Sequence, residues 1–286
     1  DNNYWYGEKY IINDGKLNVE ELQFYEEQYF SLDLDVPFTT KDGLEIKISP
    51  IRIIDSKEYD IAKQILLINQ ILTNDVEAIQ MSYLEFLLKK ICLDNEAFQM
   101  QLSYILGKCC GLDYFMLYDV DGKVFVNDHN RVCIAVLEEK DGEYDIVGSI
   151  TDTDFDKLRS IILHQNDINY DDRKLDPHIQ EIVNKYFAIK HKDDYTPNFE
   201  QRRTYVMLKY GLKPDEINNL TCRLFDNMFS TACSMDGYLS NKILQSSEKY
   251  EFKEEVKHPL FSKPTDYLDE VFSTQESVEN KLQSVT

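Results

Sequence analysis

Two Asp-Gly pairs, Asp121-Gly122 and Asp141-Gly142, stand between short runs of β-branched and aromatic residues, and they constrain this chain's local geometry more tightly than any other feature. Asp-Gly is favoured where a tight hairpin turn needs positive φ, which glycine adopts without steric cost. The runs at 114–118, 124–126, 132–137 and 144–147 are therefore predicted as an antiparallel meander. A second β element precedes it. The run Leu44-Glu45-Ile46-Lys47-Ile48 alternates apolar and charged, Lys41-Asp42-Gly43 supplies a turn, and Val36 to Thr40 supplies the partner strand. Pro50 then ends or edges that small sheet.

Elsewhere the apolar period is that of a helix. Ile61, Ile65, Leu66, Ile68 and Ile71 share one helical face; Asn74-Asp75 opens a second helix through Ile79, Tyr83, Leu84, Leu87, Leu88 and Ile91, and a third runs from about 95 to 107. Thr153 with Asp156 resembles a capping box for a helix from 154 to 164. Further helices are expected at about 176–189, 198–210, 214–232, 234–246 and 265–283, with Pro214 at a first helical position. The predicted class is α+β: mostly helical, with an N-terminal β-hairpin and a small antiparallel meander inserted between helices. The organisation reads as an N-terminal arm (1–34), a hairpin with three helices (35–111), the meander (112–151), a helical unit (152–249), and an extended connection with a C-terminal helix (250–286).

Charge limits the partners. Thirty-one Lys and Arg against 52 Asp and Glu leave a net charge of −21 over 286 residues, with no basic run, so binding to nucleic acid through phosphate contacts is disfavoured. No apolar run reaches the length of a membrane span, and the first residues carry no signal-peptide pattern. With 43% hydrophobic residues the chain has the apolar content to fold. The six cysteines show no CxxC pairing and read as reduced, mostly buried thiols.

Motifs of chemistry are missing. The acids Asp119, Asp121, Asp128, Asp152, Asp154 and Asp156 do not follow the spacing of a calcium loop, since glycine follows Asp121 too early and position 12 is Asn130. The five histidines form no HExxH or i, i+4 pair, and there is no GxGxxG, phosphate loop or GxSxG. No catalytic residue, metal site or cofactor is expected. What remains suits protein partners. Tyr4, Trp5, Tyr6 and Tyr10 crowd the N-terminal arm; Arg202 and Arg203 stand beside aromatics on a helix whose Tyr205, Met207 and Leu208 face a core; Tyr267 and Phe272 lie on the C-terminal helix. Large rings and arginines are the side chains enriched where interfaces concentrate binding energy.

The segments VPFTTKDGLEIKISPIRIIDSKEYDIAKQILLINQ, IQMSYLEFLLKKI and FDKLRSIILHQNDI, in that order, resemble a group of proteins encoded by contractile-tailed bacteriophages of Gram-positive hosts. The resemblance covers about 36–167 and more weakly 198–247; the N-terminal arm and the C-terminal connection lie outside it. Members of that group sit among tail and baseplate genes. The resemblance therefore implies a virion structural protein, made in the host cytoplasm and held by protein contacts, with no catalytic residues to carry over. Two alternatives stay open: an assembly chaperone absent from the finished particle, and a phage enzyme with an acidic metal site. The expected partners are other phage structural proteins with basic surfaces, with no nucleic acid and no membrane. A homo-oligomer is also open, through contacts that must be mainly apolar because like charges repel.

Overall fold

A computed structural model describes residues 11–12, 17–73, 75–171, 174–175, 177–192, 196–247, 256–261 and 268. The chain is α+β and divides into two units, one of Gly15–Asp172 with Leu212–Asn227, the other of Asp1–Asp14, Arg173–Gly211 and Met228–Thr286. Seven strands lie among the described residues: β1 (Ile11–Ile12), β2 (Val36–Thr39), β3 (Glu45–Ile48), β4 (Tyr114–Met116), β5 (Cys133–Lys140), β6 (Glu143–Thr151) and β7 (Lys174–Leu175). They pair antiparallel as β1–β7, β2–β3 and β4–β5–β6.

In the first unit the β2–β3 hairpin turns Val36, Phe38, Ile46 and Ile48 inward and leaves Pro37, Thr39, Glu45 and Lys47 outside, as a period of two requires. The Asp152–Asn166 helix packs on β3, β6 and the Tyr83–Phe86 helix, burying Phe155, Leu158, Ile161 and Ile162. Its polar ends hold the hairpin. At the N-terminal end Asp154 accepts the Lys41 N–H (3.2 Å) and the Thr151 N–H (3.1 Å). At the C-terminal end Gln165 donates to the Leu34 and Ile48 carbonyls (3.1 and 3.3 Å), while Asn166 accepts the Ile51 N–H (2.6 Å). Midway, the buried guanidinium of Arg159 lies 4.0 Å over the Tyr83 ring and donates to the Leu66 carbonyl. Residues 17–34 pack on this same unit: Phe30 is buried beneath Tyr25, and Glu21 and Glu26 pair with Lys157 and Arg223.

Several expected boundaries move. The helix predicted over 154–164 begins at Asp152 and ends at Asn166, because Thr151 rather than Thr153 forms the capping box, with Asp154 as its partner. The first helix of the three is α-helical only over Ser56–Ala62, and Ile61 is exposed rather than on the inner face. The second breaks after Gln80: Met81 is extended and Ser82 caps a new helix by accepting the Glu85 N–H (3.3 Å), which leaves Ile79 exposed. Helices expected at 214–232 and 234–246 are instead a short one, Pro214–Asn218, and a continuous one, Cys222–Gln245. The interruption falls at Thr221, which bridges Arg52 as a strand would and whose hydroxyl accepts the Leu224 N–H (3.1 Å). In the meander, Val124 and Val126 form only single bridges, to Tyr118 and Val132, and not a strand.

The second unit holds the Pro177–Lys190 and Phe199–Tyr210 helices and the Cys222–Gln245 helix from Met228 onward. Leu268, the described residue of the expected C-terminal helix, is buried against Ile179 and Val183. No helix among the described residues is long and apolar enough to cross a membrane.

Substituting Asn166→Ala leaves the Ile51 N–H buried without its acceptor. A loss of about 1–3 kcal/mol is expected, read as a lower denaturation midpoint at unchanged slope.

Candidate protein-interaction surface

The outer half of the β5–β6 hairpin stands clear of the core. Its turn residues Asp141 and Gly142 both have positive φ (54° and 87°), the geometry of a two-residue turn whose flanking residues, Lys140 and Glu143, form a hydrogen-bonded pair. The register then runs Glu139 opposite Tyr144, Glu138 opposite Asp145 and Leu137 opposite Ile146, with Tyr114 of β4 opposite Leu137. Partners across a sheet share a face and successive residues alternate. One face of the tip is thus Tyr114, Leu137, Glu139, Tyr144 and Ile146, mainly apolar with one carboxylate opposite Tyr144; the other is Glu138, Lys140, Glu143 and Asp145.

The face that holds Tyr114, Tyr144 and Ile146 is open. Tyr114, Tyr144 and Ile146 are 41%, 53% and 59% exposed, whereas Ile134 and Ile150 at the base of the same two strands are fully buried. The rings of Tyr114 and Tyr144 meet edge to face with centroids 4.9 Å apart. The register shifts between Val136 and Leu137, leaving Val147 as an extra residue at the bulge where tip and base join.

The base is secured by the β2–β3 turn. Leu44 closes on Gly148 so tightly that a Cβ there would lie 2.9 Å from the Leu44 Cβ. Asp42 accepts both the Ser149 N–H (2.7 Å) and the Ser149 hydroxyl (2.9 Å), and also the Thr40 hydroxyl. Partial burial works against the Asp42 charge, but these donors outweigh it and hold the carboxyl below its ordinary value.

The acidic runs have structural work nearby. Asp119 accepts the Asp121 and Lys123 N–H groups (2.9 and 2.8 Å), and Asn127 does the same for His129 and Arg131. Asp152 accepts the Thr153 N–H. Among the described residues no three His, Cys, Asp or Glu converge as a metal site. All six cysteines are free and all but Cys233 buried; burial pushes the Cys92, Cys110 and Cys222 thiols up to about 12, the reverse of the lowered value an attacking thiolate needs.

The residues singled out by sequence are not gathered here. Tyr4, Trp5, Tyr6, Tyr10, Tyr267 and Phe272 lie outside the described residues. Arg202 and Arg203 are half-buried, and Leu208, expected in the core, is 80% exposed, while Val206 is buried in its place. The reason is a largely polar helix contact. Arg202 lies over the Phe229 ring (5.9 Å), Tyr205 donates to Asp236 (2.6 Å), and Lys209 pairs with the same carboxylate. Tyr144 and Ile146 join the candidate residues only in the structure, although Glu143-Tyr144-Asp145-Ile146 already alternates acid and apolar. No family model, curated protein or solved structure matches this chain.

Because the folded value of Asp42 lies below the ordinary 3.8, its contribution is complete above that pH and fades as pH falls through the lower folded value. The stability gap between the native chain and Asp42→Asn should therefore be constant near neutral pH and narrow below about pH 4. Denaturant titrations across that range provide the check.

Proposed function

We propose that this chain is a bacteriophage virion structural protein that contributes to a tail or baseplate through protein–protein contacts. The observation that carries this reading is the exposed cluster of Tyr114, Tyr144 and Ile146 on the β5–β6 tip, whose base is held by Asp42. Exposed apolar groups rimmed by charge are what contact surfaces present, and aromatic anchors are common among them. The resemblance of 36–167 to tail and baseplate proteins supports the same reading from a separate direction. A net charge of −21 favours neighbours with basic surfaces over close packing of identical copies.

Mass spectrometry of extensively washed particles from the phage that encodes the chain tests the proposal. The chain should be recovered in fixed proportion to the other tail components. Recovery only from the infected-cell lysate, with none in particles, would overturn the virion reading in favour of an assembly chaperone.

A further inference from the structure

We infer that the outer edge of β6, at Tyr144 and Ile146, is a strand-docking site that takes an extended segment of a partner protein in which apolar and basic residues alternate. The inference rests on the tip being a protein-contact surface and does not depend on which particle holds it. With Lys140 and Glu143 hydrogen-bonded to each other, backbone groups along β6 alternate between facing β5 and facing away, so the N–H and C=O of Tyr144 and Ile146 point outward. Among the described residues no hydrogen bond is made to them from that side.

The rest of that edge is closed. Ser149, the next outward-facing position beyond the bulge, gives its N–H to Asp42, and Thr151 gives its N–H to Asp154. The β2 edge is blunted as well. The Thr40 N–H bonds the Leu44 carbonyl, which places Pro37 at an outward-facing position where it has no N–H to offer. Open N–H and C=O groups on an exposed apolar strand are a template for another strand, and proteins ordinarily cover or break such edges. Here the cover stops where the tip begins.

Charge selects the occupant. An added strand sets its side chains on the same two faces as the tip, so its apolar residues would extend the Tyr144–Ile146 face while the alternate ones meet Glu143 and Asp145. Cations there are attracted, and anions are repelled. A second copy fits worse: antiparallel self-pairing through Tyr144 and Ile146 places Asp145 directly opposite Asp145.

The test uses the full chain and two synthetic peptides of about seven residues, one alternating Lys and Val, the other with the same residues in separate blocks. The alternating peptide should bind more tightly than the blocked one, and more weakly as salt rises. Ile146→Pro removes an outward N–H together with the Ile146 side chain, breaks no β5–β6 hydrogen bond, and should weaken that binding by about tenfold or more; Ile146→Val, which keeps the N–H and a β-branched apolar side chain, should bind nearly as the native chain does. Glu143→Lys with Asp145→Lys should weaken it comparably and abolish the salt effect, with circular dichroism confirming that both variants fold. Equal binding of the two peptides, binding untouched by Ile146→Pro, or no binding at all would overturn the inference. So would a dimer of the native chain that Ile146→Pro dissolves, since the occupant is then a second copy. Particle membership is read by the separate assay on virions, so either proposal can fail alone.

Discussion

The first unit depends on one helix whose ends are polar and buried. Asp152–Asn166 packs a core of Phe155, Leu158, Ile161 and Ile162, yet the groups that fix the β2–β3 hairpin in place are Asp154 at one end and Gln165 and Asn166 at the other. Apolar contact alone is tolerant of sliding. A buried N–H such as that of Ile51 is not, because leaving it unpaired costs about 1–3 kcal/mol. The helix therefore sets the register of the hairpin along its own length.

That register has a consequence some distance away. A hairpin fixed in position carries its turn to the base of β6, where Leu44 meets Gly148 and Asp42 takes the Ser149 N–H. The inner half of the meander is thereby covered and held, and the outer half, from Leu137 to Val147, is left with one charged face and one mainly apolar face interrupted by Glu139. In the proposed docking, anchoring at the base lowers the conformational entropy that the tip loses on binding.

The sequence made the β2–β3 and β5–β6 hairpins legible, but neither the β1–β7 pair nor the reduction of 124–126 to single bridges, and the helix ends much less so. Asp141-Gly142 adopts the positive φ that its residue types demand, and the alternation of Leu44 to Ile48 is reproduced residue by residue as outside and inside. Helix boundaries shifted wherever a hydroxyl competed for backbone N–H groups: Ser82 split one helix, Thr221 delayed another, and Thr151 displaced Thr153 as a cap. Gln165 and Asn166, just past the predicted helix end at 164, are buried because their partners are backbone groups far away in sequence, which no local period encodes. The tip was overlooked for a related reason. Alternation identifies a strand, but whether its apolar face meets a core depends on where the neighbouring hairpin ends.

Amide hydrogen exchange measured on the isolated chain and on the same chain within its native assembly tests the central claim most directly. The account predicts that the Tyr144 and Ile146 amides exchange rapidly in the isolated chain and become strongly protected in the assembly, while Ser149, already bonded to Asp42, is protected in both. Unchanged, rapid exchange at Tyr144 and Ile146 in the assembly would contradict it.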